Sequence, residues 1–231
     1  MFKLLIGVCL VLGSAYAQAN IILNGTRIIY HERKGFVSVQ LTSTGPDASL
    51  VQAWIDDGDV NSTPETAHVP FLLSPPIVKV LGHGGQQLRI EKTDAALPSD
   101  RESIFYLNVL EIPALPDHLK EQNTLQLALR TRVKLFYRPD ALKSSPDFST
   151  KNIRAVAHGT GVSIFNDSAY HLTIVRIAVK DSSVELAGAS MIAPHASLDI
   201  PGEHKPVPGA QYVLTYVDDL GAYRDEVVTL R

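Results

Sequence analysis

Eight histidines are the residues of this sequence best suited to hold a metal ion, but their spacing argues against that role. They are His31, His68, His83, His118, His158, His171, His195 and His204. Zinc sites need ligands at short, defined spacings such as HExxH, and no two of these histidines are placed in that way. We therefore expect no metal site and no cofactor.

The remaining residue patterns that suggest catalysis are equally weak. Residues 82–85, GHGG, resemble a phosphate or oxyanion loop, but no helix follows them, so a hairpin turn is the better prediction. No GxSxG elbow is present to hold a serine nucleophile. The one cysteine, Cys9, lies in the apolar N-terminal run, which leaves no thiol or disulfide for the rest of the chain. The sequence thus predicts a protein that is not an enzyme.

A charged triplet, Asp100, Arg101 and Glu102, stands directly before an apolar run. Charges at such a position must be paired or solvated, because burying an unpaired charge is costly. The pattern alone favours a solvated loop, since charged residues are seldom buried.

Residues 123–139, NTLQLALRTRVKLFYRP, show the clearest periodicity in the chain. Apolar residues at every second position alternate with mostly cationic ones, which is typical of a β-strand with one apolar face. This leucine face covers either the protein's own core or a partner, and the periodicity does not distinguish the two.

The N-terminal residues 1–19 have the features of a secretory signal peptide. Lys3 precedes an apolar run, residues 4–12, and small residues then allow cleavage after Ala17 or Ala19. No later segment has the ~20 apolar residues of a membrane span. With a formal net charge of -3, the chain has no global charge that favours nucleic acid. We expect an exported protein without membrane insertion or nucleic-acid binding.

Short strands separated by turn residues follow the signal, and they predict two all-β domains. The first domain, residues 20–140, has predicted strands at residues 20–29, 36–42, 49–56, 77–80, 87–92, 103–111 and 124–137. Residues 138–152 are polar, contain two prolines and are predicted to be a linker. The second domain, residues 141–231, has predicted strands at residues 162–166, 172–179, 183–186, 197–200, 212–218 and 226–230.

Four motifs of the first domain resemble those of the PapD-like periplasmic chaperones of the chaperone–usher pilus pathway. They are LPSDRESIFYLNVLEIPA at residues 97–114, PFLLSPPIVKVL at 70–81, VQAWID at 51–56 and KLFYRP at 134–139. The resemblance extends, more weakly, to FNDSAYHLTI and YVDDLGAYR in the second domain.

The resemblance implies two immunoglobulin-like β-sandwich domains in a boomerang arrangement, without catalysis. It also implies a periplasmic protein whose partners are pilin subunits and an outer-membrane usher. Leu125, Leu127 and Leu129 match the family's donor strand, which completes the sandwich of a pilin that lacks one strand. Because an exposed apolar edge invites aggregation, we expect self-association to cap this strand in the free protein.

The resemblance assigns roles to several charged residues as well. Arg27 and Lys134 match the paired cations that anchor the pilin's C-terminal carboxylate, and Arg89, Glu102 and Asp219 match interdomain ion-pair residues. The chain departs from some members in having no disulfide in its second domain. The short connection between residues 113 and 123 resembles the subgroup with a short F1–G1 loop.

Two other classes of protein remain as alternatives. A secreted immunoglobulin-like adhesin or structural pilus subunit shares the export signal and the strand content, but should lack both the Arg27/Lys134 pair and the DRES motif. An exported β-rich hydrolase is poorly supported, because no nucleophile and base can be assembled.

Overall fold

The computed structural model describes residues 20–115, 122–143, 145–182, 184–202 and 205–231. The predicted signal peptide, residues 1–19, lies outside these ranges, as do residues 116–121 in the connection before the leucine-rich strand. Within the described ranges the only helical element is the 3-10 turn Glu32–Lys34. No helix of these residues is long and apolar enough to cross a membrane.

The first domain is a sandwich of two sheets. Its strands are β1 (Ile21–Leu23), β2 (Arg27–His31), β3 (Phe36–Ser43), β4 (Ser49–Asp56), β5 (Phe71–Ser74), β6 (Ile77–Val80), β7 (Gly85–Lys92), β8 (Ser103–Pro113) and β9 (Leu129–Arg138). One sheet has the order β1-β3-β7-β5 and the other β2-β9-β8-β4-β6. Every second side chain of a strand faces the space between the two sheets. On β3, β7, β8 and β9 the fully buried residues there include Leu41, Leu88, Leu107 and Leu135.

The single strand predicted for residues 20–29 is wrong, because the chain changes sheets within it. β1 pairs with β3, whereas β2 pairs in parallel with β9 in the other sheet. The crossing passes Gly25, whose φ of 113° is readily adopted only by glycine. This change of sheet places Arg27 directly opposite Lys134.

Residues 82–85 form a tight turn, but the predicted hairpin is wrong. The turn joins β6 to β7, which belong to different sheets. His83 has a φ of 55° there. The strand β5 was not predicted from the sequence at all.

The second domain is also built from two sheets. Its strands are β10 (Ile153–His158), β11 (Gly161–Asn166), β12 (Leu172–Val179), β13 (Glu185–Ala187), β14 (Ser190–Ile192), β15 (Ala196–Ile200), β16 (Gln211–Val217) and β17 (Tyr223–Thr229). The orders are β10-β11-β15 and β13-β12-β16-β17, with β14 paired to β12. The expectation of two all-β domains is therefore confirmed.

The segment predicted as a linker contributes to the second core. Phe148 is 5% exposed and packs with Ile153, Leu172 and other core residues of this domain. Its ring also makes an edge contact with Tyr216, with centroids 5.2 Å apart. An isolated aromatic residue in a polar, proline-containing stretch thus marks a docked segment rather than a free linker.

Candidate strand-binding edge and anion site

The leucine face of β9 has two parts with opposite environments. Val133 and Leu135 are buried in the core of the first domain, whereas Leu129 is 48% exposed, Leu127 70% and Leu125 85%. We call residues 125–129 the leucine segment. One half of a continuous apolar face therefore covers the protein's own core, and the other half is open to solvent.

The sequence predicted that this strand begins at residue 124, but β9 begins at Leu129. The neighbouring strand β8 ends at Pro113, and its register places Glu111 opposite Leu129. Proline has no backbone N–H to continue the ladder. The strand pattern of residues 124–128 is real, but no strand among the described residues pairs with it.

The second edge of β9 is also only partly occupied. β2 pairs with Lys134–Arg138, from Arg27 opposite Lys134 to His31 opposite Arg138. Among the described residues, no strand pairs with this edge from Leu129 to Val133. An open sheet edge of this kind has unpaired N–H and C=O groups that accept a further strand.

Arg27 and Lys134 lie side by side where the open edge ends. The guanidinium of Arg27 donates from Nη1 to the Val217 carbonyl at 3.1 Å, and its buried Nε has no partner. The ammonium of Lys134 is 3.4 Å from Thr173 Oγ1. Both partners belong to the second domain, so this pair of cations, which we call the anion site, lies at the junction of the two domains.

Electrostatics favours an anion at this site. Burial lowers the pKa of both cations below their usual values, and the charge of Arg27 lowers that of Lys134 further. Within the described part of the chain, neither side chain forms an ion pair with a carboxylate. Two adjacent, partly desolvated positive charges are stabilised when a negative group binds between them.

The other cations on the same face of β9 are neutralised by the protein itself. Arg130 and Arg132 contact the carboxylate of Asp56, and Arg138 contacts those of Glu102 and Asp219. Period two places Lys134 on this face with them. Lys134 thus differs from its neighbours in having no internal counter-ion among the described residues.

A buried ion network joins the two domains beside the anion site. Arg138 Nη2 donates to Glu102 Oε1 at 2.8 Å, and its Nη1 donates to Asp219 Oδ2 at 2.7 Å. The backbone N–H of His171 donates to Glu102 Oε2 at 2.9 Å, and its ring Nδ1 is 3.1 Å from the same oxygen. Glu102 is therefore buried and paired. The local sequence pattern alone favoured a solvated loop at this position.

The structure corrects the interdomain role expected for Arg89. Its ion pair is with Glu91 on the same strand, and its guanidinium stacks 3.7 Å from the ring of Phe36. β7 belongs to the sheet that does not contain β9. Arg138 supplies the cation that Arg89 was expected to provide.

Two members of this network were missed in the sequence. Arg138 lies four residues beyond Lys134, so period two already placed it on the same face. His171 had no detectable signal, because nothing in its sequence context marks it as a partner of Glu102. No three His, Cys, Asp or Glu side chains of the described residues cluster as metal ligands would.

Two family profiles match the chain. The profile described as "Pili and flagellar-assembly chaperone, PapD N-terminal domain" matches residues 20–143. The profile described as "Pili assembly chaperone PapD, C-terminal domain" matches residues 149–227.

Individual proteins give the same result. The chain is 40% identical over 207 residues to the probable fimbrial chaperone YehC of Escherichia coli K12, covering 90% of this chain and 85% of YehC. The crystal structure of the Pseudomonas aeruginosa chaperone CupB2 superposes with a TM-score of 0.76 at 29% identity, covering 91% of this chain and all of that one. A chain of the complex between the Salmonella enterica pilin SafA and the chaperone SafB has the same fold, with a TM-score of 0.77, 23% identity and coverage of 94% and 99%.

Proposed function

The chain belongs to the PapD family of pilus-assembly chaperones, and from this premise we propose that it captures pilin subunits by donating a strand to them. It does so in the periplasm and passes each subunit to an outer-membrane usher. The export signal in residues 1–19 supports the compartment. The adhesin, pilus-subunit and hydrolase alternatives have no support from the family match.

The observation that carries the proposal is the position of the anion site at the end of the open edge of β9. A strand that pairs with the edge from Leu129 to Val133 lies in line with β2 and ends where β2 begins, at Arg27. If that strand runs parallel to β9, its carboxyl end meets Arg27 and Lys134. An antiparallel strand would bring its positive amino end there and be repelled. The geometry therefore favours a C-terminal strand, bound in parallel.

The leucine segment supplies the apolar part of the interaction. A pilin that lacks a strand has an apolar groove, and alternate side chains of a donated strand fill such a groove while backbone groups complete the ladder. Leu125, Leu127 and Leu129 are the exposed alternate residues. Burying each one contributes on the order of 1.5 to 3 kcal/mol, before ordering costs are subtracted.

The anion site supplies the register. Hydrogen bonds to a charged group contribute roughly 1.5 to 3 kcal/mol each, and a carboxylate held by Arg27 and Lys134 has one defined position. A slip of one residue would turn the groove-facing side chains to the other face of the strand. Fixing the carboxylate therefore fixes which residues of the pilin meet the leucines.

The second domain completes the anion site in this proposal. The Arg138 network holds the two domains, residues 20–140 and 141–231, at the angle that brings Val217 and Thr173 beside the cations. Release to the usher proceeds by exchange of the donated strand for another pilin's N-terminal extension.

Co-expression with a pilin from the same gene cluster tests the proposal. Wild-type chain purified from periplasmic extract should retain the pilin at equal stoichiometry, and Arg27→Ala and Lys134→Ala should fold but lose it. Glu91→Gln, an exposed substitution on the opposite sheet, is the matched control and should retain it. Undiminished pilin in both alanine variants would overturn the role of the anion site.

A further inference from the structure

A second cluster of charged side chains lies on the outward face of the first domain, next to the leucine segment. We call it the Asp56 cluster; it consists of Asp56 on β4, Asn108 on β8, and Arg130 and Arg132 on β9. The Asp56 side chain is 1% exposed and Asn108 is fully buried. Neither the export of the protein nor the anion site accounts for a carboxylate buried here.

The contacts of the cluster join three strands. Arg132 donates to both carboxylate oxygens of Asp56, from Nε at 3.0 Å and from Nη2. Asn108 Nδ2 donates to Asp56 Oδ2 at 2.6 Å, and the backbone N–H of Gly58 donates to Oδ1 at 2.8 Å. Arg130 donates to Asn108 Oδ1 from Nε at 2.9 Å and from Nη2 at 2.7 Å. The polar atoms of β4, β8 and β9 thus satisfy one another.

Aromatic rings and one loop fix the two arginines further. The guanidinium of Arg132 lies 3.7 Å from the ring of Tyr106, and that of Arg130 lies 4.8 Å from the ring of Trp54. Arg130 Nη1 also donates to the Val60 carbonyl at 2.8 Å. The planar guanidinium of Arg132, held by a bidentate carboxylate and a ring face, has one preferred position, which lysine does not reproduce.

The Asp56 cluster lies where the register of β9 against β8 has the least other support. From Leu129 to Val133, β8 is the one strand in the described part of the chain that pairs with β9. Burial of Val133 and Leu135 specifies the register of the later part of β9, whereas the exposed Leu129 adds little to it. A shift of β9 by one residue would place Thr131 or Val133, rather than Arg132, opposite Asn108 and leave Asp56 buried without its cation. That cost resists the shift.

We propose that Asp56 is a positioning residue that acts through Arg132 and Asn108 to set the register of β9 where it leaves the sheet. This inference rests on the proposed function. The contact between Asp56 and Arg132 holds the leucine segment in one orientation relative to Lys134, so that a bound pilin meets both at once. Without it, β9 still packs through Leu135 but presents its exposed leucines in several registers.

The first test uses the free protein and needs no pilin. Asp56→Asn keeps the size of the side chain but removes the charge that orients Arg132, and Asp57→Asn removes the same charge from the exposed neighbour. We expect amide hydrogen exchange of the residues in 129–133 that bond to β8, and of the β8 amides opposite them, to accelerate at least tenfold in Asp56→Asn, with exchange of residues 134–138 unchanged. Asp57→Asn should match the wild type. Unchanged exchange, or acceleration throughout the domain, would overturn the positioning role.

The second test measures coupling between the two parts of the site. Two synthetic peptides carry the C-terminal strand of the co-purified pilin, one with a free carboxylate and one amidated. The wild type should prefer the free acid, and in Asp56→Asn this preference should fall towards unity as the leucines and the anion site lose their common register. Arg132→Lys should behave like Asp56→Asn, because lysine keeps the positive charge but cannot donate to both oxygens of Asp56 in the same bidentate geometry.

The two tests separate this inference from the proposed function. If the wild type shows no preference for the free acid, the anion site is wrong, and the exchange measurement alone then decides the role of Asp56. If Asp56→Asn binds both peptides more weakly with the wild-type preference intact, the cluster contributes only to stability and the inference is overturned.

Discussion

Replacing Leu127 with alanine should weaken pilin binding without destabilising the free protein, because 70% of this side chain is already exposed. The substitution removes three carbon groups, each worth about 0.8 kcal/mol when buried. Scaled by the exposed fraction, the loss on binding is about 1.7 kcal/mol, which is roughly 15-fold in affinity. The free energy of unfolding of the free chain should change by less than about 0.5 kcal/mol.

Leu135 provides the matched control on the same face of the same strand. It is fully buried, so Leu135→Ala should lower the free energy of unfolding by about 2 to 5 kcal/mol. Urea denaturation followed by the fluorescence of Trp54 measures stability, and pilin retention after purification measures binding. Leu127→Ala should therefore show its defect in pilin binding, and Leu135→Ala should show its defect in stability.

A loss of stability in Leu127→Ala comparable to that in Leu135→Ala would refute this reasoning. It would mean that the leucine segment packs on the protein's own core in solution. Equal pilin affinity of Leu127→Ala and wild type would refute it from the other side, since the exposed leucines would then have no partner to cover them.

Three further predictions concern charge and assembly. Burial and the charge of Arg27 lower the pKa of Lys134 in the free protein, and a bound carboxylate favours its charged form. Pilin binding should therefore begin to weaken as pH rises past this lowered pKa, and Lys134→Gln should lose this dependence in calorimetric titrations. Glu102→Gln should lower the free energy of unfolding by about 3 to 5 kcal/mol, because it removes one carboxylate partner of the buried Arg138. The exposed Glu91→Gln should lower it by less than about 1 kcal/mol. Equal melting temperatures for the two variants would contradict this prediction. The free protein should self-associate over its leucine segment and dissociate when pilin is added; sedimentation of a monomer at all concentrations, with these leucines open to solvent, would oppose this expectation.

The periodicity of residues 123–139 predicted the strand but not its limits. Alternation is a property of the side chains, and residues 124–128 have it as clearly as residues 129–138. Where a ladder ends depends on the neighbouring strand, and here that strand ends at Pro113. The division of one apolar face into a core half and an exposed half is therefore a tertiary property, which the sequence of β9 alone does not contain.

The charged residues show a similar limit. Arg27 and Lys134 are far apart in the chain and become neighbours only because the chain changes sheets at Gly25. Family motifs pointed to both, whereas local pattern treated them as ordinary surface cations. The same motif matching assigned Arg89 wrongly and overlooked Arg138, although the spacing from Lys134 placed Arg138 on the correct face. Side-chain partners across strands were not predictable from local sequence in either case.

The most direct test of the central claim is the affinity of the wild-type chain for a pilin C-terminal peptide, measured by calorimetry with a free carboxylate and with an amide. The free acid should bind more tightly by roughly 10- to 100-fold, which corresponds to one or more charge-assisted hydrogen bonds from Arg27 and Lys134. Equal affinities for the two peptides would contradict it, because the anion site would then hold no carboxylate at the end of the open edge.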